Sequence, residues 1–273
     1  MKTILVISDH SPEAEHAALF ALALARAVHA DLLLATTVKA QQLTKGQPVL
    51  AGATTEDPDS SPMNRLCELN GQSDGYVPKI SELDISAYPL DDLIAMINRK
   101  EIWLLVEGMP DQSPAGCVAL KLNIQSVLNR VRCPLLLVPQ SWANHLPERI
   151  AYLADLRYCR HQVLRYVGEV CAALDAGLTV AHLSARGLAD IAEAYAEELF
   201  CKDVVPHTHH KKVVLNNIRE RDLHKAVDVL VHGMQQDLLV FVNHRYHFEE
   251  LIGRRIGDTL PADITVPVLI FPL

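Results

Sequence analysis

Three short segments of this chain occur twice, in the same order. Lys2-Thr-Ile-Leu-Val-Ile-Ser-Asp9 returns as Arg149-Ile-Ala-Tyr-Leu-Ala-Asp155: a basic residue, an apolar run, then an aspartate ahead of a long helical pattern. Asp31-Leu-Leu-Leu-Ala-Thr-Thr-Val38 returns as Gly177-Leu-Thr-Val-Ala-His-Leu183, and Cys133-Pro-Leu-Leu-Leu-Val-Pro139 as Val266-Pro-Val-Leu-Ile-Phe-Pro272. An ordered repeat of this kind predicts a duplicated unit, one copy over residues 1–140 and the other over 148–273. A chain of 273 residues accommodates two domains of ordinary size, and a hydrophobic content of 49% fills two cores.

The apolar runs are short and nearly continuous: 4–7, 32–38, 102–106 and 134–138, then 150–153, 178–183, 213–215, 238–242 and 267–271. Runs without polar alternation suit strands covered on both faces, as in a parallel sheet. Helical patterns lie between them. Ser11-Pro12-Glu13 supplies a capping hydroxyl, a proline for the first helical position and a carboxylate at the positive end of the dipole. Ala14, Ala17, Ala18, Ala21, Ala25 and Val28 follow at helical spacing, as do Val163, Leu164, Val167, Val170, Cys171 and Leu174 in the second half. Further helices are expected over 91–98, 187–200 and 223–234. Alternating strands and helices imply βαβ units and an α/β fold of two tandem doubly wound, Rossmann-like domains. Residues 39–61 lack apolar periodicity and predict a long loop, and 71–75 a turn. The connection 140–147 is short and carries Trp142, which predicts that the halves pack together. The apolar closing strands also need cover, which they would find by pairing with each other.

The charge balance is acidic, with 25 Lys and Arg against 33 Asp and Glu. That speaks against nucleic acid and against anionic membrane surfaces as partners. The apolar stretch 17–38 is broken by Arg26, His29 and Asp31, so no membrane span is expected. No export signal is recognised, and the six cysteines include no C-x-x-C pair. They are expected to be small buried hydrophobes in a reducing compartment, and the protein to be cytoplasmic.

The opening strand ending in aspartate, the Ser-Pro-Glu-Ala helix start and the closing Cys-Pro-Leu-Leu-Leu-Val-Pro together resemble the universal stress protein family. The resemblance covers nearly all of both halves except 39–61. It implies a five-stranded parallel sheet of order 3-2-1-4-5 in each half, with a crevice at the carboxyl ends of strands 1 and 4. In nucleotide-binding members the strand-end aspartate contacts the adenosine portion, which points to Asp9 and Asp155. A backbone group after strand 2 meets adenine, which points to Val38 and Leu183. A loop of the form G-x2-G-x9-G-[ST] cradles the phosphates.

Such a loop needs glycine because backbone N–H groups must reach phosphate oxygens with no Cβ in the way. The matching stretch in the first half keeps Gly108, but Asp111, Lys121 and Leu122 replace the other two glycines and the hydroxyl; Asn123, next in the chain, completes the candidate set. In the second half the stretch 243–247 leads to Arg255 and Ile256, and no loop glycine survives in register. Arg245, Arg254 and Arg255 retain the capacity to hold an anion through their side chains. ATP or AMP, held weakly, is therefore the cofactor expectation, with the second half as the better candidate. Each feature also has a plainer reading: Asp9 and Asp155 as caps, Gly108 as a turn, the arginines facing solvent or paired with Glu249 and Glu250. His207, His209 and His210 read as a solvated loop, with no metal expected. No G-x-S-x-G, Cys/His pair or Walker loop is present, so no catalysis is assigned. The sequence predicts a non-enzymatic stress-response regulator. It would be an intrachain pseudo-dimer with protein partners unidentified and further homodimerisation open. An ATP-hydrolysing switch and a pure interaction scaffold are the alternatives.

Overall fold

A computed structural model describes residues 1–37, 62–71, 75–111, 124–243, 245–253, 256–257 and 259–273. The expected loop 39–61 and the candidate residues Val38, Asn123 and Arg255 lie outside the described residues, as do Lys121, Leu122, His244 and Arg254.

The described strands are β1 (Lys2–Ser8), β2 (Ala30–Thr36), β3 (Ile80–Asp84), β4 (Leu104–Met109), β5 (Leu135–Pro139), β6 (Arg149–Ala154), β7 (Gly177–His182), β8 (Val213–Asn217), β9 (Leu238–Val242) and β10 (Val268–Phe271). The helices are α1 (Pro12–Val28), α2 (Pro62–Asn70), α3 (Leu90–Arg99), α4 (Ile124–Leu128), α5 (His161–Leu174), α6 (Glu193–Leu199), α7 (Val205–Thr208), α8 (Leu223–Asp228) and α9 (Tyr246–Leu251). All strands join one ten-stranded sheet of order β3-β2-β1-β4-β5-β10-β9-β6-β7-β8. Each half therefore carries the order 3-2-1-4-5, the doubly wound fold expected. Within a half the pairing is parallel; across the middle β5 and β10 run antiparallel, Leu136 opposite Leu269. The two apolar closing strands are thus each other's neighbours, and neither is a sheet edge.

Alternation along the strands sends side chains to two faces. Ile4, Val6, Leu32 and Leu34 join α1, and across the middle Ile150, Tyr152 and Leu178 join α5, in one core layer. Leu5, Ile7 and Leu33 join α3 and α4, and Leu153 and Phe241 join α8 and α9, in the other. Each layer runs unbroken across both halves. Trp142, in the connection, packs against both.

Helix α1 begins as its sequence dictates. Ser11 Oγ accepts from Ala14 N at 3.2 Å, Pro12 opens the helix, and Glu13 and Glu15 stand in the first turn. Its buried alanines let it lie close on the sheet.

Two expectations are corrected, and one strand lies outside the apolar runs. The helix expected from residue 187 begins at Glu193; Gly187 takes φ +85°, a turn conformation, and the helical run then continues through a π turn (Phe200–Val204) into α7. Strand β3 has no apolar run. It is an edge strand paired only with β2, so its Ser81, Glu82 and Asp84 stay partly exposed. The described cysteines divide: Cys133 and Cys171 are buried, Cys159 is half-buried, and Cys67 and Cys201 are exposed because their helices, α2 and the π turn after α6, present them to water; Cys117 lies outside the described residues.

Candidate functional site

The winding reverses between β1 and β4 in the first half and between β6 and β9 in the second, which sets a crevice at the carboxyl ends of each pair. Asp9 directly follows β1 and Asp155 directly follows β6. The two aspartates have unlike surroundings. Asp9 Oδ1 accepts from Ser11 N at 3.1 Å, a short-range turn bond, and the residue is half-buried.

The Asp155 carboxylate is 2% exposed. Its Oδ1 accepts from Arg157 N at 3.1 Å and from Arg157 Nε at 2.8 Å. Its Oδ2 accepts from Arg157 Nη2 at 2.5 Å and from Ala185 N at 3.0 Å. A carboxylate offers about four lone-pair sites, so its accepting capacity is filled by the chain itself. Arg157 binds it as a two-pronged fork, and its Nη1 is anchored on Ala189 O at 3.1 Å. Burial alone would raise the Asp155 pKa; the Arg157 side chain and the amides of Ala185 and Arg157 outweigh burial and hold it below the usual carboxylate value.

Two histidines complete the filling of this crevice. His182, at the end of β7 and 1% exposed, accepts from Leu156 N through Nδ1 at 3.2 Å. An amide can only donate, so Nδ1 carries no proton. His247, on α9, places Nε2 3.0 Å from the Leu183 carbonyl, which can only accept, so Nε2 carries the proton. Leu183 N donates to Ala154 O at 3.2 Å. Both backbone groups of Leu183, where adenine recognition was expected, already have partners. Burial lowers the pKa of both histidines.

Gly108, the surviving glycine of the first-half loop, is explained by packing. A Cβ there would collide with the Glu13 carbonyl and stand 2.9 Å from Ala14 N, so the first turn of α1 rests directly on the end of β4. Asp111 is turned toward the connection between halves, with Oδ1 accepting from Ser141 N at 3.2 Å and from Ser141 Oγ at 2.9 Å.

At the position of the first loop glycine in the second half stands Asn243, fully buried. Its Nδ2 donates to Asn129 Oδ1 at 2.9 Å, and its Oδ1 accepts from Gln125 Nε2 at 3.3 Å. Gln125 also donates to Asn129 Oδ1 at 3.0 Å and accepts from Ile256 N at 3.3 Å. Gln125 is on α4 and Asn129 directly follows it, so a partly buried amide cluster joins α4 of the first half to the end of β9 in the second. Arg245 lies beside it as the residue preceding α9 and lines the second crevice with Tyr152, Tyr158 and Tyr246. Its Nε is buried without a hydrogen-bond partner.

The fold therefore brings Asp155, Leu183 and Arg245 to one crevice and sets Asp9 and Gly108 at the other. Arg157, His182, Gln125 and Asn129 were not singled out from sequence; His247, within the stretch 243–247, was expected as a positive charge of the loop after strand 4 and is instead a buried neutral imidazole bonded to Leu183. His207 Nδ1 lies 2.7 Å from Asp203 O and His210 Nε2 2.8 Å from Ala176 O. Among the described residues no group of three or more His, Cys, Asp or Glu is placed to hold a metal. Among them, too, no helix is long and apolar enough to cross a membrane.

The sequence profile of the universal stress protein family matches residues 1–139. The chain belongs to the universal stress protein family. Solved structures agree on the fold. A universal stress protein from Archaeoglobus fulgidus DSM 4304 aligns with a TM-score of 0.57 at 15% identity, covering 98% of this chain and 97% of that one. A functionally unknown protein from Pseudomonas aeruginosa PAO1 gives 0.55 at 15% identity, covering 99% and 92%. The cytoplasmic domain of a prokaryotic cation chloride cotransporter gives 0.51 at 12%, covering 98% and 94%. No curated protein sequence matches this chain. The sheet and its two switch points are thus those of the universal stress fold, while the residues at the second switch point bond chiefly to one another.

Proposed function

We propose that this universal stress family member is a non-enzymatic stress-response regulator whose second crevice excludes nucleotide. Two copies of the unit, 1–140 and 148–273, act as an intrachain pseudo-dimer. The observation that carries this reading is the fourfold-bonded Asp155. Arg157 occupies the hydrogen-bonding positions that ribose hydroxyls would need, and the Leu183 N–H and C=O are already bonded, to Ala154 and His247. Displacing these groups would orphan a buried carboxylate's partly exposed arginine partner and a buried imidazole, a penalty for a weak ligand.

Any nucleotide contact falls to the first half, where Asp9 keeps accepting capacity among the described residues. With Asp111, Lys121 and Leu122 in place of the loop's glycines and hydroxyl, that contact is weak and supports no hydrolysis. The surroundings of Asp155 favour regulation through protein contacts in a cytoplasmic setting over an ATP-driven switch.

A thermal-shift and phosphate-release experiment tests this. A ligand present at 100 times its dissociation constant stabilises by about 2.7 kcal/mol, a shift of several degrees for a protein of this size. ATP, AMP and cyclic AMP at millimolar concentration are expected to leave the melting temperature unchanged, and ATP to release no phosphate above the buffer rate. A shift of several degrees together with turnover lost in Asp9→Ala would establish the switch instead.

A further inference from the structure

With the nucleoside positions of the second crevice filled from within, a cavity of only about 20 Å³, open to solvent on one side, remains between the ends of β6 and β9 and the start of α9. Its inner wall is apolar and aromatic, from Tyr152, Phe241 and Phe248, all 1% exposed or less. Its rim carries Tyr158 and Tyr246, 45% and 47% exposed, with ring centroids 6.5 Å apart and tilted by 52°. Arg245 lines the same cavity, and its Nε is buried with no hydrogen-bond partner.

A buried guanidinium nitrogen without a partner is costly, and buried polar groups are nearly always paired. The missing partner must accept hydrogen bonds, and an anion answers a guanidinium best. The exposed tyrosine pair calls for a flat apolar body. Asp155 also borders the cavity, but its charge is paired with Arg157, which limits repulsion of an anion. A phosphate ester has no glycine cradle here. A carboxylate needs only the planar fork of one arginine.

We propose that the mouth of this cavity is a binding site for a small aromatic carboxylate, its carboxylate held by Arg245 and its ring lying outside the cavity, against the exposed Tyr158 and Tyr246. The proposal rests on the reading that the second crevice excludes nucleotide, and it adds the class of ligand that the mouth of the crevice accepts.

The test is a titration of 4-fluorobenzoate followed by ¹⁹F NMR on the full chain, with acetate, inorganic phosphate and AMP as competitors. A ligand of about ten non-hydrogen atoms is expected to bind with a dissociation constant on the order of 1 mM or tighter. Arg245→Gln is expected to weaken binding at least tenfold, and Arg245→Lys to retain part of it, because the ammonium keeps the charge and loses the fork. Tyr158→Ala and Tyr246→Ala each weaken binding without touching the cation, so the test does not depend on the fold tolerating changes at Arg245. Acetate should displace the probe at least tenfold less effectively than benzoate. Absence of binding to wild type, or equal binding to wild type and Arg245→Gln, overturns the proposal and leaves nucleotide exclusion standing. Displacement of the probe by AMP overturns nucleotide exclusion and, with it, the preference for a carboxylate.

Discussion

Replacing Gly108 by alanine separates two accounts of the glycine that survives in the first-half loop. If it serves a phosphate, alanine alters ligand binding and leaves the free protein nearly untouched. If it serves packing, alanine destabilises the protein with nothing bound. The added Cβ would overlap the Glu13 carbonyl and lie 2.9 Å from Ala14 N, both backbone atoms that no rotamer change can move. Relief requires moving the start of α1 away from β4. That helix buries nine of its 17 residues, among them Phe20, Leu22 and Leu24, against the sheet and its neighbours. Inserting one methyl into a packed core costs about 1–3 kcal/mol. With backbone on both sides of the clash, the upper part of that range applies, about 2–3 kcal/mol. At a typical urea dependence this moves the unfolding midpoint down by roughly 1 M. Urea unfolding followed by circular dichroism in nucleotide-free, phosphate-free buffer makes the comparison. A midpoint unchanged in that buffer, with an effect appearing only when nucleotide is added, would refute the packing account and return Gly108 to the phosphate loop.

Asn243→Leu removes two hydrogen bonds of the amide cluster joining the halves, while Gln125 and Asn129 keep the bond between them; at about 0.5–1.5 kcal/mol for each hydrogen bond lost, chemical denaturation should show a loss on the order of 1–3 kcal/mol, and an unchanged midpoint would mean the cluster does not hold the halves together. Acidification should destabilise the protein in two stages. His182 and His247 have native pKa values lowered from 6.5 by burial, so the unfolded chain binds protons first and their stabilising contribution is lost as pH falls from about 6.5 toward the native values. Asp155, whose native pKa lies below its ordinary 3.8, adds a further loss as pH falls from there through its native value. Urea midpoints at pH 7.5, 5.5 and 3.5 check the order, and a protein equally stable at pH 5.5 and 7.5 would contradict the neutral assignment of both histidines.

The fold was legible because its informative residues lie close together in sequence. Unbroken apolar runs mark strands buried on both faces, Ser11-Pro12-Glu13 marks the start of α1, and the repeated order marks the duplication. The pairing of the closing strands followed from their apolar character alone. Strand β3 escaped because an edge strand need not be apolar, and the late start of α6 because Gly187 with its positive φ falls inside a stretch of good helix formers. The crevices were located from topology, but their contents were not read. Loss of the second-half loop glycine was visible, yet the reason for Asn243 lies on α4 and the residue after it, more than 110 residues away. His182 and His247 meet the same crevice only because β7 and α9 converge on it. Arg157 was the nearest signal, two residues beyond Asp155, where a side chain can fold back on the carboxylate; the spacing alone does not say whether the guanidinium turns inward or to solvent.

The most direct measurement of nucleotide exclusion at the second crevice is calorimetric titration of AMP and ATP into wild type and into Arg157→Ala, with Asp155→Ala as the control. Wild type is expected to give no saturable heat attributable to Asp155, so that Asp155→Ala leaves the isotherm unchanged. Arg157→Ala frees the carboxylate and is expected to gain measurable AMP binding that Asp155→Ala, added to it, abolishes. Saturable micromolar binding to wild type that disappears in Asp155→Ala would show that Arg157 yields to nucleotide and that the second crevice is open.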